Sequence, residues 1–118
     1  MKTFIVALVV FSVLLTLIIL NALFVNRAMD KFRSDILALP ACDEIALSDV
    51  VAAWESYYTL LSLSVSRNEM RDMDVWLAEM RVAAKRDDAL QFETARAKAL
   101  DSIDDIRRLE RIALSNVL

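Results

Sequence analysis

Residues 4–25, FIVALVVFSVLLTLIILNALFV, form an uninterrupted apolar run without a charge, Gly or Pro, and the reading of the whole chain turns on them. At 1.5 Å per residue these twenty-two residues make a helix of about 33 Å, enough to cross a hydrocarbon core of about 30 Å with slight tilt. Seventeen of them are Leu, Ile, Val or Phe, each worth roughly −0.3 to −0.6 kcal/mol on insertion, so the run favours the bilayer by several kcal/mol. Ser12 and Thr16 can bond back to the helix backbone, and Asn21 falls near the interface, where an amide is cheap to place. The run therefore predicts a transmembrane helix over residues 4–25 and not a buried core helix. A secretory signal has a shorter apolar core and small residues at its cleavage site. This run is longer and ends in Phe24-Val25-Asn26-Arg27 with no Ala-x-Ala pattern, which predicts a retained signal anchor over 1–26 and a second unit over 27–118. Lys2 on one side nearly balances Arg27, Lys31 and Arg33 on the other, partly offset by Asp30 and Asp35. The short tail before the run points to an extracytoplasmic C-terminal domain on a single-pass anchor in the cell membrane.

The composition narrows the chemistry. With Lys2 set aside, 13 Lys and Arg face 17 Asp and Glu after the run. A mildly acidic domain has no electrostatic reason to bind nucleic acid or an anionic membrane surface. The 118 residues hold no Gly and one Pro, which predicts long helices with short connections and excludes Asn-Gly hairpins and phosphate-cradling loops. With no His, the common metal sites and the Ser-His and Cys-His pairs are gone, and so is the Glu-x-x-His motif of di-iron bundles. No cofactor and no small-molecule substrate are expected. The lone Cys42 cannot form an internal disulfide, though an exposed thiol could link two copies. Leu39-Pro40-Ala41-Cys42 has the outline of a lipid-attachment box, but the charged stretch at 26–35 separates it from the apolar run.

Helical periodicity continues beyond the run. Met29, Phe32, Ile36 and Leu39 lie on one helix face, so the membrane helix is expected to pass into water unbroken and to end at Pro40. A second helix is predicted over 43–65, with Leu47, Val50, Val51, Trp54, Tyr57, Tyr58, Leu61 and Val65 on its apolar side. Residues 62–66 read as its fraying end and a turn. Asn68 is the expected N-cap of a third helix, in which Met70, Met73, Leu77, Met80 and Ala84 make a heptad-like seam. Asp87 or Asp88 should cap a fourth helix over 89–113, with Phe92, Ala95, Ala99, Ile103, Ile106 and Leu109 or Ala113 inward. Its Glu93, Asp104 and Asp105 should pair with Arg96 and Arg108 on the same helix, and Ser115-Asn116 should end it, leaving Val117-Leu118 as a tail. The fold class is thus all-α: an N-terminal transmembrane helix continuing into a small antiparallel three- to four-helix bundle.

Trp54, Tyr57, Tyr58, Met70, Met73, Trp76 and Met80 are the candidate interaction face, because aromatic and Met side chains make adaptable contact surfaces. Ordinary packing is the competing reading of the same stripes. The acidic pairs Asp43-Glu44, Asp72 with Asp74, Asp87-Asp88 and Asp104-Asp105 read as caps and surface charge, since adjacent acids on a helix point apart and general acid/base catalysis needs them in one cleft. Asp72-x-Asp74 lacks the Gly turn of a calcium loop.

The anchor, the Trp-bearing helix, the turn into Asn68-Glu69-Met70-Arg71-Asp72-Met73, the helix end near Asp87-Asp88 and the closing IDDIRRLERIALSNVL at 103–118 together resemble the family called domain of unknown function 4363. The tail is the most specific part, with Glu110, Ile112, Leu114 and Asn116-Val117-Leu118. Many members carry a His before the third helix, where this chain has Ser66-Arg67. The resemblance implies a small single-pass helical protein of Gram-positive bacteria and brings no activity with it. The expected function is a membrane-tethered bundle that binds another membrane or envelope protein or itself, with no catalysis. The alternative is a structural coiled-coil component of an envelope machine, division-protein-like or spanin-like.

Overall fold

The computed structural model describes residues 1–62 and 65–117, the side chains at 113, 114 and 117 excepted. Four helices follow one another: α1 (Lys2–Ala38), α2 (Glu44–Leu61), α3 (Arg67–Lys85) and α4 (Ala89–Val117). Each packs on the next and α4 closes on α1, while α1 and α3, like α2 and α4, occupy the diagonals. A cross-section of 22 × 21 Å is that of a two-by-two array of helices about 10 Å across. The 67 Å long axis comes from α1, whose 37 residues span about 55 Å and overshoot the bundle.

Contacts between the helices fix their directions. Phe24 meets Tyr57 and Phe32 meets Trp54 between α1 and α2; Asp30 and Arg33 meet Arg107 and Asp104 between α1 and α4. In each pair one number rises as the other falls, so neighbouring helices are antiparallel.

The sequence explains where helices stop. Pro40 has no N–H for a helix and forces Leu39 out of helical geometry, to φ −63° and ψ 127°. The Leu39 carbonyl left over at the end of α1 accepts from the Arg96 guanidinium of α4. Asp43 caps α2 by accepting from the Ala46 N–H at 3.0 Å, and Asp88 caps α4 by accepting from Gln91 at 3.0 Å. The cap of α3 is Ser66, which accepts from the Glu69 N–H at 3.3 Å, and not Asn68. Ser66-x-x-Glu69 is a capping-box spacing, and it outcompetes the Asn two residues on. The charged α4 also runs through Ser115-Asn116 to Val117 instead of stopping there. Residues 63, 64 and 118, part of the expected turn and tail, lie outside the described residues.

A single core joins all four helices. Val25, Met29, Phe32 and Ile36 step by four, three and four along α1 and are fully buried, as are Met70, Met73 and Met80 of α3 and Phe92, Ala99, Ile103 and Ile106 of α4. Leu109, one of the two residues expected to close this face, is exposed, and the side chain of the other, Ala113, lies outside the described ones. Ala83 and Ala84 on α3 and Ala95 and Ala99 on α4 are all buried, and such small side chains let two helices approach closely. The division expected at residue 26 falls within the unbroken α1, where the core begins at Val25. On the other side of Val25 the environment reverses: Phe4 is 71% exposed, Leu8 54% and Phe11 63%. Among the described residues α1 alone is long and apolar enough to cross a membrane.

A chain without Gly must fill left-handed turns with other residues, here Cys42 at φ 60° and Asp87 at φ 52°. Asp87 sits just past α3, its N–H bonding to the Ala84 carbonyl at 3.2 Å and that of Asp88 to the Ala83 carbonyl at 2.9 Å. That double closure of a helix end is normally occupied by Gly. Asp87→Gly should therefore stabilise the fold by about 1 kcal/mol, read as a raised unfolding midpoint of the full chain in detergent; an unchanged or lowered midpoint would contradict the strain assigned to this turn.

Candidate functional site

The candidate interaction face does not survive as a surface. Trp54, Met70, Met73 and Met80 lie inside the bundle, each at most 1% exposed, because the stripes that carry them are the ones the other helices cover. Trp54 stacks on Phe32 at 5.4 Å between ring centres and meets Tyr58 edge-on at 6.1 Å. Its indole N–H donates to the Asp74 carboxylate at 2.7 Å, which supplies the partner a buried Trp needs. The Met seam of α3 is likewise used up within one monomer, leaving none of it for a coiled coil. Of the seven residues only Tyr58 is exposed; Tyr57 and Trp76 are half-buried. Tyr57 packs edge-on against Phe24, and the Lys98 ammonium sits 4.7 Å above the Trp76 ring.

What the fold brings together is the collar where α1 leaves the bundle. Two grooves flank the helix there. One, of ≈ 500 Å³, is lined by Leu20, Leu23, Phe24, Arg27, Lys31 and Tyr57. The other, of ≈ 190 Å³, is lined by Ile19, Ala22, Asn26, Arg107, Glu110 and Arg111. Arg107 holds α4 to α1 between them, 2.7 Å from the Asp30 carboxylate and donating to the Asn26 amide oxygen at 3.0 Å. One turn deeper Asp104 stands 3.5 Å from Arg33 of α1, while Arg108, its expected partner, takes Asp105 at 2.9 Å. Both grooves join the apolar length of α1 to a cationic rim. No sequence signal announces the second, because Arg107 and Arg111 reach Ile19 and Ala22 only through the closure of α4 on α1, while the first takes all its lining but Tyr57 from one stretch of α1.

The acidic pairs resolve into separate duties. Asp43 and Asp88 cap helices, Asp74 serves Trp54, and Asp104 and Asp105 face different arginines. Among the described residues no group of three or more His, Cys, Asp or Glu could hold a metal ion. The Cys42 thiol is partly buried, 3.8 Å from the Ala83 carbonyl. Burial and then the charges of Asp87, Asp88 and Glu93 push its pKa up, which disfavours the reactive thiolate. No family model, curated protein or solved structure matches the chain.

Glu69, at the start of α3, also has a raised pKa: burial is the main cause, Asp105 and Asp72 add to it, and Arg108 opposes it. A carboxyl whose folded pKa lies above its unfolded value contributes stability that is complete in acid below the unfolded value and is lost as pH rises through the folded one. Glu69→Gln keeps the capping-box side chain without the charge. It should exceed the parent in stability at neutral pH, with the gap closing as pH falls through the carboxylate range; chemical unfolding at several pH values checks this, and a gap independent of pH would contradict it.

Proposed function

We propose that this chain is a membrane-anchored helical interaction protein whose bundle binds another membrane or envelope protein, or a second copy of itself, without catalysis. The observation that carries the reading is the continuity of α1. One half of the helix exposes apolar side chains on every face, and the other half supplies the core of the bundle. A helix exposed all round needs an apolar solvent, and the bilayer is the one whose thickness fits its length. The rigid join then holds the bundle at a fixed height above the surface, the arrangement a tethered binding module needs. The reading includes a retained signal anchor in the cell membrane with the bundle on the extracytoplasmic side. The resemblance to the domain of unknown function 4363 family agrees with this architecture and is offered as part of the same proposal.

Lys31, Lys85 and Lys98 are exposed at separate heights on the bundle. A membrane-impermeant amine cross-linker added to intact cells should therefore join the chain to a membrane or envelope protein, or to itself. Adducts that form only in permeabilised cells would place the bundle on the other side. Their absence in both cases would contradict an interaction protein.

A further inference from the structure

We propose that the groove between α1 and Tyr57 is a binding site for the headgroup of an anionic phospholipid, an inference that rests on the reading of α1 as membrane-spanning. Leu20, Leu23, Phe24, Arg27 and Lys31 recur at three- and four-residue steps and form one stripe along α1. The stripe changes character along its length as a phospholipid does. Its first three residues are apolar and lie within the run that enters the bilayer. The last two are cations one helical turn apart, both exposed. Tyr57 closes the side, its ring held edge-on by Phe24 at 6.3 Å, so the junction of the two zones carries an amphipathic ring suited to the interface.

Electrostatics selects the occupant. No carboxylate lines this groove, and among the described residues neither Arg27 nor Lys31 has one within ion-pair distance. Asp30, the acid between them in sequence, is held by Arg107 of α4. Two unpaired cations beside an apolar floor suit a phosphodiester, which a guanidinium binds in bidentate fashion. A choline headgroup carries the same phosphate, but its own cation is repelled. A headgroup without that cation is therefore preferred. The second groove is less suited, since Glu110 lines it and Arg107 is already engaged.

The test uses the full chain reconstituted in phosphatidylcholine vesicles, with trace spin-labelled phosphatidylglycerol or spin-labelled phosphatidylcholine as the probe. Electron spin resonance then reads the fraction of each lipid slowed by contact with the protein. The expected result is an association for phosphatidylglycerol at least about fivefold above that for phosphatidylcholine, the factor that attraction to a single cation gives. The preference should vanish in Arg27→Gln/Lys31→Gln and survive in Arg67→Gln/Arg111→Gln, whose cations lie at the same end of the bundle outside this groove. Equal slowing of both lipids, or a preference lost equally in the two double variants, overturns the site while leaving the anchor in place. Absence of a slowed fraction for either lipid overturns both.

Discussion

An apolar helix can satisfy its side chains against protein or against lipid, and α1 carries a stretch fit for each along one unbroken backbone. From Val25 onward a single face, Val25, Met29, Phe32 and Ile36, is fully buried, and the opposite face is exposed and polar with Arg27, Asp30, Lys31 and Ser34. From Phe4 to Leu14 no such division exists, and apolar side chains are exposed all round the helix. The other three helices are placed by this change. The bundle overlaps only the end of the apolar run, where Ile19, Ala22 and Leu23 line a groove with Arg107, Glu110 and Arg111 of α4.

The contacts that hold α1 differ on its two flanks. Toward α2 they are aromatic, through Phe24 with Tyr57 and Phe32 with Trp54. Toward α4 they are polar: Arg107 on Asp30 and Asn26, Asp104 on Arg33, and Arg96 on the last carbonyl of α1. Exposed ion pairs contribute only about 0–1 kcal/mol each, so the burial of Phe32, Trp54 and their neighbours supplies most of the cohesion. The polar contacts do something else. They fix the register of α4 on α1, and that register carries Arg107 and Arg111 to the edge of the apolar run.

Much of the fold was legible because a helix repeats every 3.6 residues and has only one face to bury. Met29, Phe32, Ile36 and Leu39, and the seam from Met70 to Ala84, all lie in the core as their spacing predicts. Periodicity identifies an inward face but not what covers it, so the same Trp and Met residues could be read as core, the preferred reading, or as a surface for a partner. Tertiary closure decided for the core. It also decided the partner of Asp104, for which Arg108 four residues on and Arg33 on another helix are equivalent choices until α1 and α4 meet. The start of α3 could have been found, since Ser66 and Glu69 hold a capping-box spacing next to the competing Asn68. The groove between α1 and α4 had no such signature, being assembled from residues about eighty positions apart, as Asn26 and Arg107 are.

The account stands on the change of solvent along α1, and a spin-label scan from Phe4 to Ile36 in a bilayer measures that change directly. Accessibility to oxygen, which concentrates in lipid, should be high and without periodicity from Phe4 to about Leu17. It should give way beyond Val25 to a helical alternation between sites shielded by the core and sites open to a water-soluble relaxing agent. Helical periodicity already present between Phe4 and Leu17, or ready access of the water-soluble agent there, would show this segment covered by protein or by water and would contradict the account.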